Sequence, residues 1–308
     1  MAAIHIGISG WRYTPWRGDF YPEGLAQNRE LQFASRAVNS IEINGSFYAL
    51  QTPERYANWY ADSPQDFVFS VKAPRYITHI LRLQDVHQPL ANFFASGVLE
   101  LKDKLGPILW QFPPSFTFNP ELFETFLDQL PTDTEQAAAL ARQHEPRLNG
   151  KASMKAYANK PLRHAVEIRH ESFVVPEFVS LLKRYRAALV IADTAGKWPY
   201  REDLTGDFVY MRLHGDKELY ASGYTPEALE RWGNRIEAWT HGKQPSDAQL
   251  IDPEQKPKPR KTREVFCYFD NDVKVRAPFD ARSLLQRLGL DTALATEPGK
   301  PPAPGVLP

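Results

Sequence analysis

The stretch HAVEIRHESF (164–173) sets Glu167, Arg169 and His170 at the end of an apolar run. On a strand, alternate side chains share a face, so Glu167 and Arg169 point the same way as Ala165, opposite to Val166 and Ile168. A carboxylate and a guanidinium on one inward face can neutralise each other. They can also serve a ligand, the carboxylate as a proton carrier and the guanidinium as a bidentate anion clamp. FVYMRLHG (208–215) repeats the arrangement with Arg212 and His214. FVFSVKA (67–73) ends on Lys72, whose amine could act as a nucleophile, bind an anion, or pair with Glu42 or Glu167. NSIEIN (39–44) adds Glu42 and Asn44, GPILWQF (106–112) adds Gln111, and AALVIAD (187–193) ends on Asp193.

These residues sort into roles. Arg169 and Arg212 bind an anion. Glu167, His214 and Lys72 move protons, and Glu42 and Asp193 orient them. Asn44 and Gln111 line the site. Aromatics gather after the first two runs, and Trp11 and Tyr48 are placed to stack on a ring. His170 has the opposite parity to Glu167, so its direction is open. The same holds for Asp270 and Asn271 after the eighth run, only one of which can look inward. Glu42, Glu167, Asp193 and His214 could hold a divalent cation, but no fixed spacing supports it and the adjacent cations oppose it. No metal and no cofactor is assigned. The competing reading is a closed ion-pair network, since buried charges must be paired. Under the ligand reading, Arg212→Ala loses anion binding and keeps its fold; under the ion-pair reading it unfolds.

The elements that must position these groups are eight short apolar runs: 4–9, 39–44, 67–73, 106–112, 164–169, 187–193, 208–215 and 265–270. Amphipathic helical stretches separate them. Thr52-Pro53, Asn119-Pro120 and Thr225-Pro226 mark helix starts, with a capping side chain followed by proline at the first helical position. Eight strands alternating with helices, with no glycine-rich dinucleotide turn after the first, predict an α/β fold: a single (β/α)8 TIM-type parallel barrel over residues 1–290. An open doubly wound sheet is the alternative. Helices after the third and sixth strands are the least distinct. Residues 131–160 read as a polar insertion, 243–263 as a disordered basic Pro-rich loop, and 291–308 as a Pro-rich flexible tail.

The 308 residues carry 37 basic and 37 acidic side chains. That balance disfavours a coat for nucleic acid or an anionic membrane. The KPKPRK run (256–261) could touch nucleic acid, but a solvated loop is the simpler reading. No apolar run reaches the roughly 20 residues of a membrane span. The N-terminus lacks a signal-peptide pattern, and the single cysteine, Cys267, fits a reducing compartment. The expected setting is cytoplasmic and the expected partner is a small polar or anionic molecule. Composition does not give an oligomeric state.

The motifs GISGWRYTPWRGDFYP (7–22), SIEINGSFYALQTPERYANW (40–59), FVFSVKAPRYITH (67–79), LGPILWQFPPSF (105–116), AVEIRHESF (165–173), FVYMRLHG (208–215) and CYFDND (267–272) occur in order along nearly the whole chain. Together they resemble the YecE-like family, domain of unknown function 72. The resemblance implies a (β/α)8 barrel and brings no reaction with it. On the residues alone, the chain is an uncharacterised barrel expected to do acid–base chemistry on a small sugar-like or phosphorylated substrate. A non-catalytic ligand- or nucleic-acid-binding barrel and a metal-dependent phosphoesterase are the alternatives.

Overall fold

The structure is a computed structural model and describes residues 2–307. Its eight strands are β1 (Ile4–Ser9), β2 (Ser40–Ile43), β3 (Val68–Lys72), β4 (Leu105–Gln111), β5 (His164–Glu167), β6 (Ala188–Asp193), β7 (Phe208–Leu213) and β8 (Glu264–Phe269). All pair in parallel in chain order, and β1 closes on β8. Each falls within two residues of its expected run. The helices are α1 (Glu30–Ala37), α2 (Gly45–Tyr48), α3 (Pro53–Asp62), α4 (His87–Ala95), α5 (Pro120–Asp128), α6 (Thr134–Ala141), α7 (Pro176–Tyr185), α8 (Pro226–Thr240) and α9 (Arg276–Arg287). The three polar caps form as expected. Thr52, Asn119 and Thr225 accept from the backbone N–H of Arg55, Leu122 and Ala228. Among the described residues no helix follows β6; 194–207 return to β7 as loop.

Strand alternation divides the core in two. Ile6, Ile8, Ile41, Ile43, Phe69 and Val71 face the helices. Inside the barrel lie Leu109, Ala165, Ala188, Val190, Ala192, Phe208, Tyr210, Phe266 and Tyr268. The alanines of β5 and β6 make room for the large rings of β7 and β8, the large-against-small packing a closed barrel needs. At the N-terminal end the His5 ring stacks on Phe266 at 4.6 Å. Gly7 faces inward where β1 and β2 touch: a Cβ there would lie 1.6 Å from the Ser40 carbonyl oxygen, so only glycine fits.

Three segments lie outside the strand–helix alternation. Residues 131–160 begin with α6, which packs on α4, and Thr134 Oγ1 donates to the Ala158 carbonyl at 2.6 Å. Residues 243–263 have no helix or strand, yet they are pinned. The N–H groups of Gln249 and Ile251 donate to Glu202 and Asp203 at 2.9 and 2.8 Å, and Arg263 donates to the Gly242 carbonyl at 3.0 Å. The tail also packs back. Gly299 N–H donates to Phe20 at 2.8 Å, and Thr296 Oγ1 to Phe33 at 3.0 Å. Composition predicted the loss of regular structure in both stretches; it could not predict hydrogen bonds to specific buried partners.

Candidate active site

Arg212 sits on the barrel axis at the end of β7, with 0 % of its side chain exposed. Its Nε and Nη2 donate to the two oxygens of Glu42 at 3.1 and 2.9 Å. Nη1 donates to Glu167 at 2.8 Å, and Nη2 also reaches Asp270 at 2.9 Å and Ser9 Oγ at 3.0 Å. Three carboxylates from β2, β5 and the end of β8 therefore converge on one guanidinium. A tyrosine and serine layer supports them from below. Tyr210 donates to Glu42 at 2.6 Å, and the Tyr268 hydroxyl bonds Ser40 and Ser70, each at 2.7 Å. Burial pushes the Glu167 and Asp270 carboxyls up, but Arg212 beside them wins and holds both below the usual range. Burial opposes the Arg212 charge as well, and the carboxylates outweigh it.

This geometry corrects one expectation. Arg212 has no donor left for a substrate, so it is the counter-ion of the network and not an anion clamp. Arg169 differs. Its Nε donates to Glu167 at 2.9 Å and its Nη2 to the Tyr220 hydroxyl at 3.3 Å. Its guanidinium lies 3.8 Å over the Trp198 ring, and among the described residues Nη1 has no acceptor. Gln111 completes Glu167 with a donor at 2.9 Å.

Lys72 is 7 % exposed, and among the described residues no carboxylate lies within ion-pair distance of its amine. The expected pair with Glu42 or Glu167 does not form. Nζ instead sits 4.2 Å over the Phe47 ring. Burial first, and the Arg212 charge second, push its pKa down to about 8. His79 packs edge-on against the same ring at 5.1 Å. Burial and then the charges of Lys72 and Arg169 push it down to about 4, so it is neutral at physiological pH. His79 belongs to a single π-turn, Tyr76–Ile80, a local device common at functional sites. His214 is fully buried; its Nδ1 stands 3.1 Å from Asp270, and burial and Arg212 lower its pKa. Asp272 lies near this group, its carboxyl pushed up to about 6 by burial and by the Asp270 charge.

Asp193 is a second correction. Ala188, Val190 and Ala192 face inward, so Asp193 has outward parity. It accepts from the Tyr224 hydroxyl at 3.2 Å, away from the axial charges. His170 caps the turn that follows β5, accepting from Ser172 N–H at 3.1 Å. Asn44 stands at the edge of the network and donates to Ser9 Oγ at 2.7 Å.

Trp11 and Tyr48 are not over the axis. They wall a cleft of about 550 Å³ beside it, with Tyr13, Asn44, Gln51 and Trp59. Trp11 meets Trp59 edge-to-face at 5.3 Å, and Tyr48 is 72 % exposed. Tyr13 and Asn44 separate this cleft from the charged cluster, each bonded to Ser9. This cleft thus lies beside the charges. The axial groups themselves are closed over by Arg169, Trp198 and Tyr220, a cap carried by the ends of β5, β6 and β7.

A closed eight-stranded parallel barrel with its polar side chains gathered at the C-terminal strand ends defines a TIM-type protein. Residues 5–304 match the family described as "Protein of unknown function DUF72", and the chain belongs to that family. It is 31% identical over 121 residues to UPF0759 protein YunF of Bacillus subtilis (strain 168), covering 37% of this chain and 41% of that protein. It is 30% identical over 130 residues to UPF0759 protein YecE of Escherichia coli (strain K12), covering 42% and 44%. These matches span less than half the length of either relative. The solved DUF72 family protein TM1631 from Thermotoga maritima MSB8 superposes with a TM-score of 0.69 at 23% identity, covering 93% of this chain and 99% of that one. EF0366 from Enterococcus faecalis V583 gives 0.66 at 16% identity over 97% and 99%. At those identities the likeness establishes the fold alone. Among the described residues no helix is long and apolar enough to cross a membrane.

Proposed function

We propose that the chain is an enzyme acting by acid–base chemistry on a small polar or anionic substrate at the C-terminal strand ends. One observation carries this reading: two cations at the mouth, Lys72 and Arg169, keep donors that no carboxylate among the described residues uses. An anion there would meet Lys72 Nζ and Arg169 Nη1. Glu167 and Asp270, held ionised by Arg212, supply fixed negative charge behind it. His214 is the proton-transfer partner, with Lys72 able to give up its own proton near pH 8; Glu167, held ionised, is not one.

The test is saturable binding of phosphate, of small carboxylates and of sugar phosphates, followed by calorimetry. Arg169→Met is expected to weaken that binding at least tenfold, and to lower the melting temperature less than a change at Arg212, because Glu167 keeps its Arg212 partner. Wild-type affinity is expected to fall as pH rises through about 8, where Lys72 loses its charge. Absence of saturable anion binding across the panel would refute the reading.

The cleft beside the axis favours a second reading, a ligand-binding barrel without chemistry. Aromatic faces flanked by the side-chain amides of Asn28, Gln51 and Asn58 suit a sugar or base ring. Tyr48→Ala is then expected to weaken binding of a neutral oligosaccharide or a nucleoside by roughly tenfold, about the worth of one stacked ring. Tryptophan fluorescence from Trp11 and Trp59 would read it. An unchanged dissociation constant counts against the cleft.

A further inference from the structure

Two lysines of this barrel have buried side chains, and they are built differently. Lys104 spends its ammonium fully, donating to the carbonyls of Tyr60 and Ser63 at 2.6 and 2.9 Å and to Ser63 Oγ at 2.9 Å. That is a structural lysine, with its three donors satisfied. Lys72 is buried to a similar degree, and its Nζ has no oxygen partner among the described residues. An ammonium held this way is costly, whereas a neutral amine over an aromatic ring is not. The surroundings also suit a cation formed later at the same nitrogen. Glu42, Glu167 and Asp270 all act on it electrostatically from beyond contact distance.

We propose that Lys72 is a covalent nucleophile that forms an imine with a small aldehyde or ketone bearing an anionic group. This rests on the reading of the mouth as an anion-binding active site and names its substrate class. The neutral amine adds to the carbonyl carbon to give a carbinolamine. One proton from nitrogen and one from solvent then leave with the former carbonyl oxygen as water. The C=N bond keeps the remaining N–H and the positive charge. The three carboxylates stabilise that charge, and Arg169 holds the anionic group. Burial and the Arg212 charge keep part of the amine unprotonated near neutral pH.

The full-length chain is incubated at pH 8 with pyruvate, glyceraldehyde 3-phosphate or dihydroxyacetone phosphate, reduced with sodium borohydride and analysed by intact and peptide mass spectrometry. The expected result is one stoichiometric adduct on Lys72 with at least one of these carbonyls, suppressed by excess phosphate and absent in Lys72→Arg and Lys72→Met. Adducts spread over surface lysines, at levels unchanged in those variants, would overturn the proposal, as would no Lys72 adduct with any of the three. Competitive acetylation of the wild type needs no substrate and guards against variants that fail to fold. Lys72 is expected to label with a midpoint near pH 8, and a midpoint above 10 refutes an activated amine. If anions bind at the mouth and no imine is trapped, covalent chemistry fails and the anion reading stands. If no anion binds, the parent reading fails.

Discussion

Arg212→Met is expected to destabilise the barrel by about 4 kcal/mol or more, enough to leave the chain largely unfolded at 37 °C. The side chain has 0 % exposure, and methionine nearly matches its volume, so packing loss is small. The cost comes from three carboxylates, Glu42, Glu167 and Asp270, left buried with no guanidinium between them. Breaking one partner out of a buried ion network typically costs 3–5 kcal/mol, because the remaining charge is uncompensated. The pH dependence separates this from simple misfolding. Glu167 and Asp270 titrate below the ordinary carboxyl range in the native state. They therefore contribute stability that is present above the ordinary carboxyl range and is lost as pH falls below it, through the depressed native values. In the variant their pKa values rise, and protonation relieves the repulsion. The gap between wild type and variant in urea melts is expected to narrow as pH falls through the variant's raised carboxyl values and on toward the depressed wild-type ones. A variant within 1 kcal/mol of wild type at pH 7 would show that the network carries no such burden.

Lys72→Met is expected to have the opposite sign and to stabilise the fold by roughly 1–3 kcal/mol at pH 7 while removing the chemistry. Burial lowers the Lys72 pKa from its ordinary 10.5 to about 8. Below pH 8 the amine is protonated in both folded and unfolded chains, so the cost of burying its charge is fully present. Between about 8 and 10.5 the unfolded chain binds more protons, and wild-type stability rises with pH through that window. The advantage of the variant is therefore expected to shrink above pH 8. Paired denaturant melts at pH 7 and pH 10 check both statements. A variant less stable than wild type at pH 7 would mean that Lys72 holds the barrel together. A group that costs stability where it sits points to function.

The strands were legible because each apolar run alternates cleanly, and that alternation also predicted the inward places of Glu42, Lys72, Glu167, Arg169 and Arg212. One error and one open choice trace to strand ends. Asp193 was counted as inward because it ends an apolar run. The small residues Ala188 and Ala192 already gave the opposite parity, since a barrel interior filled by large rings on β7 and β8 needs alanines facing them. Asp270 was left open beside Asn271. Phe266 and Tyr268 fix it, because the tyrosine hydroxyl needs the serine layer inside the barrel. His79, Trp198 and Tyr220 lie on loops, where no period places a side chain. The sequence also could not reveal that Arg212 is saturated. Residue type shows that a guanidinium is present, but only geometry shows how many of its five donors are spent.

The cap formed by Arg169, Trp198 and Tyr220 sets a rate as well as a shape. With Glu167 and His214 fully covered and Lys72 only 7 % exposed, a solute cannot collide with the reacting groups directly. Tyr220 holds a left-handed backbone, φ 63°, and its N–H donates to the His214 carbonyl at 2.5 Å. Entry therefore requires these side chains and the loop after β7 to move aside, motions of nanoseconds to microseconds. Association is then gated by the protein's own opening and stays below the diffusional ceiling. The same closure would keep water from Lys72, which is the condition that the proposed imine chemistry needs.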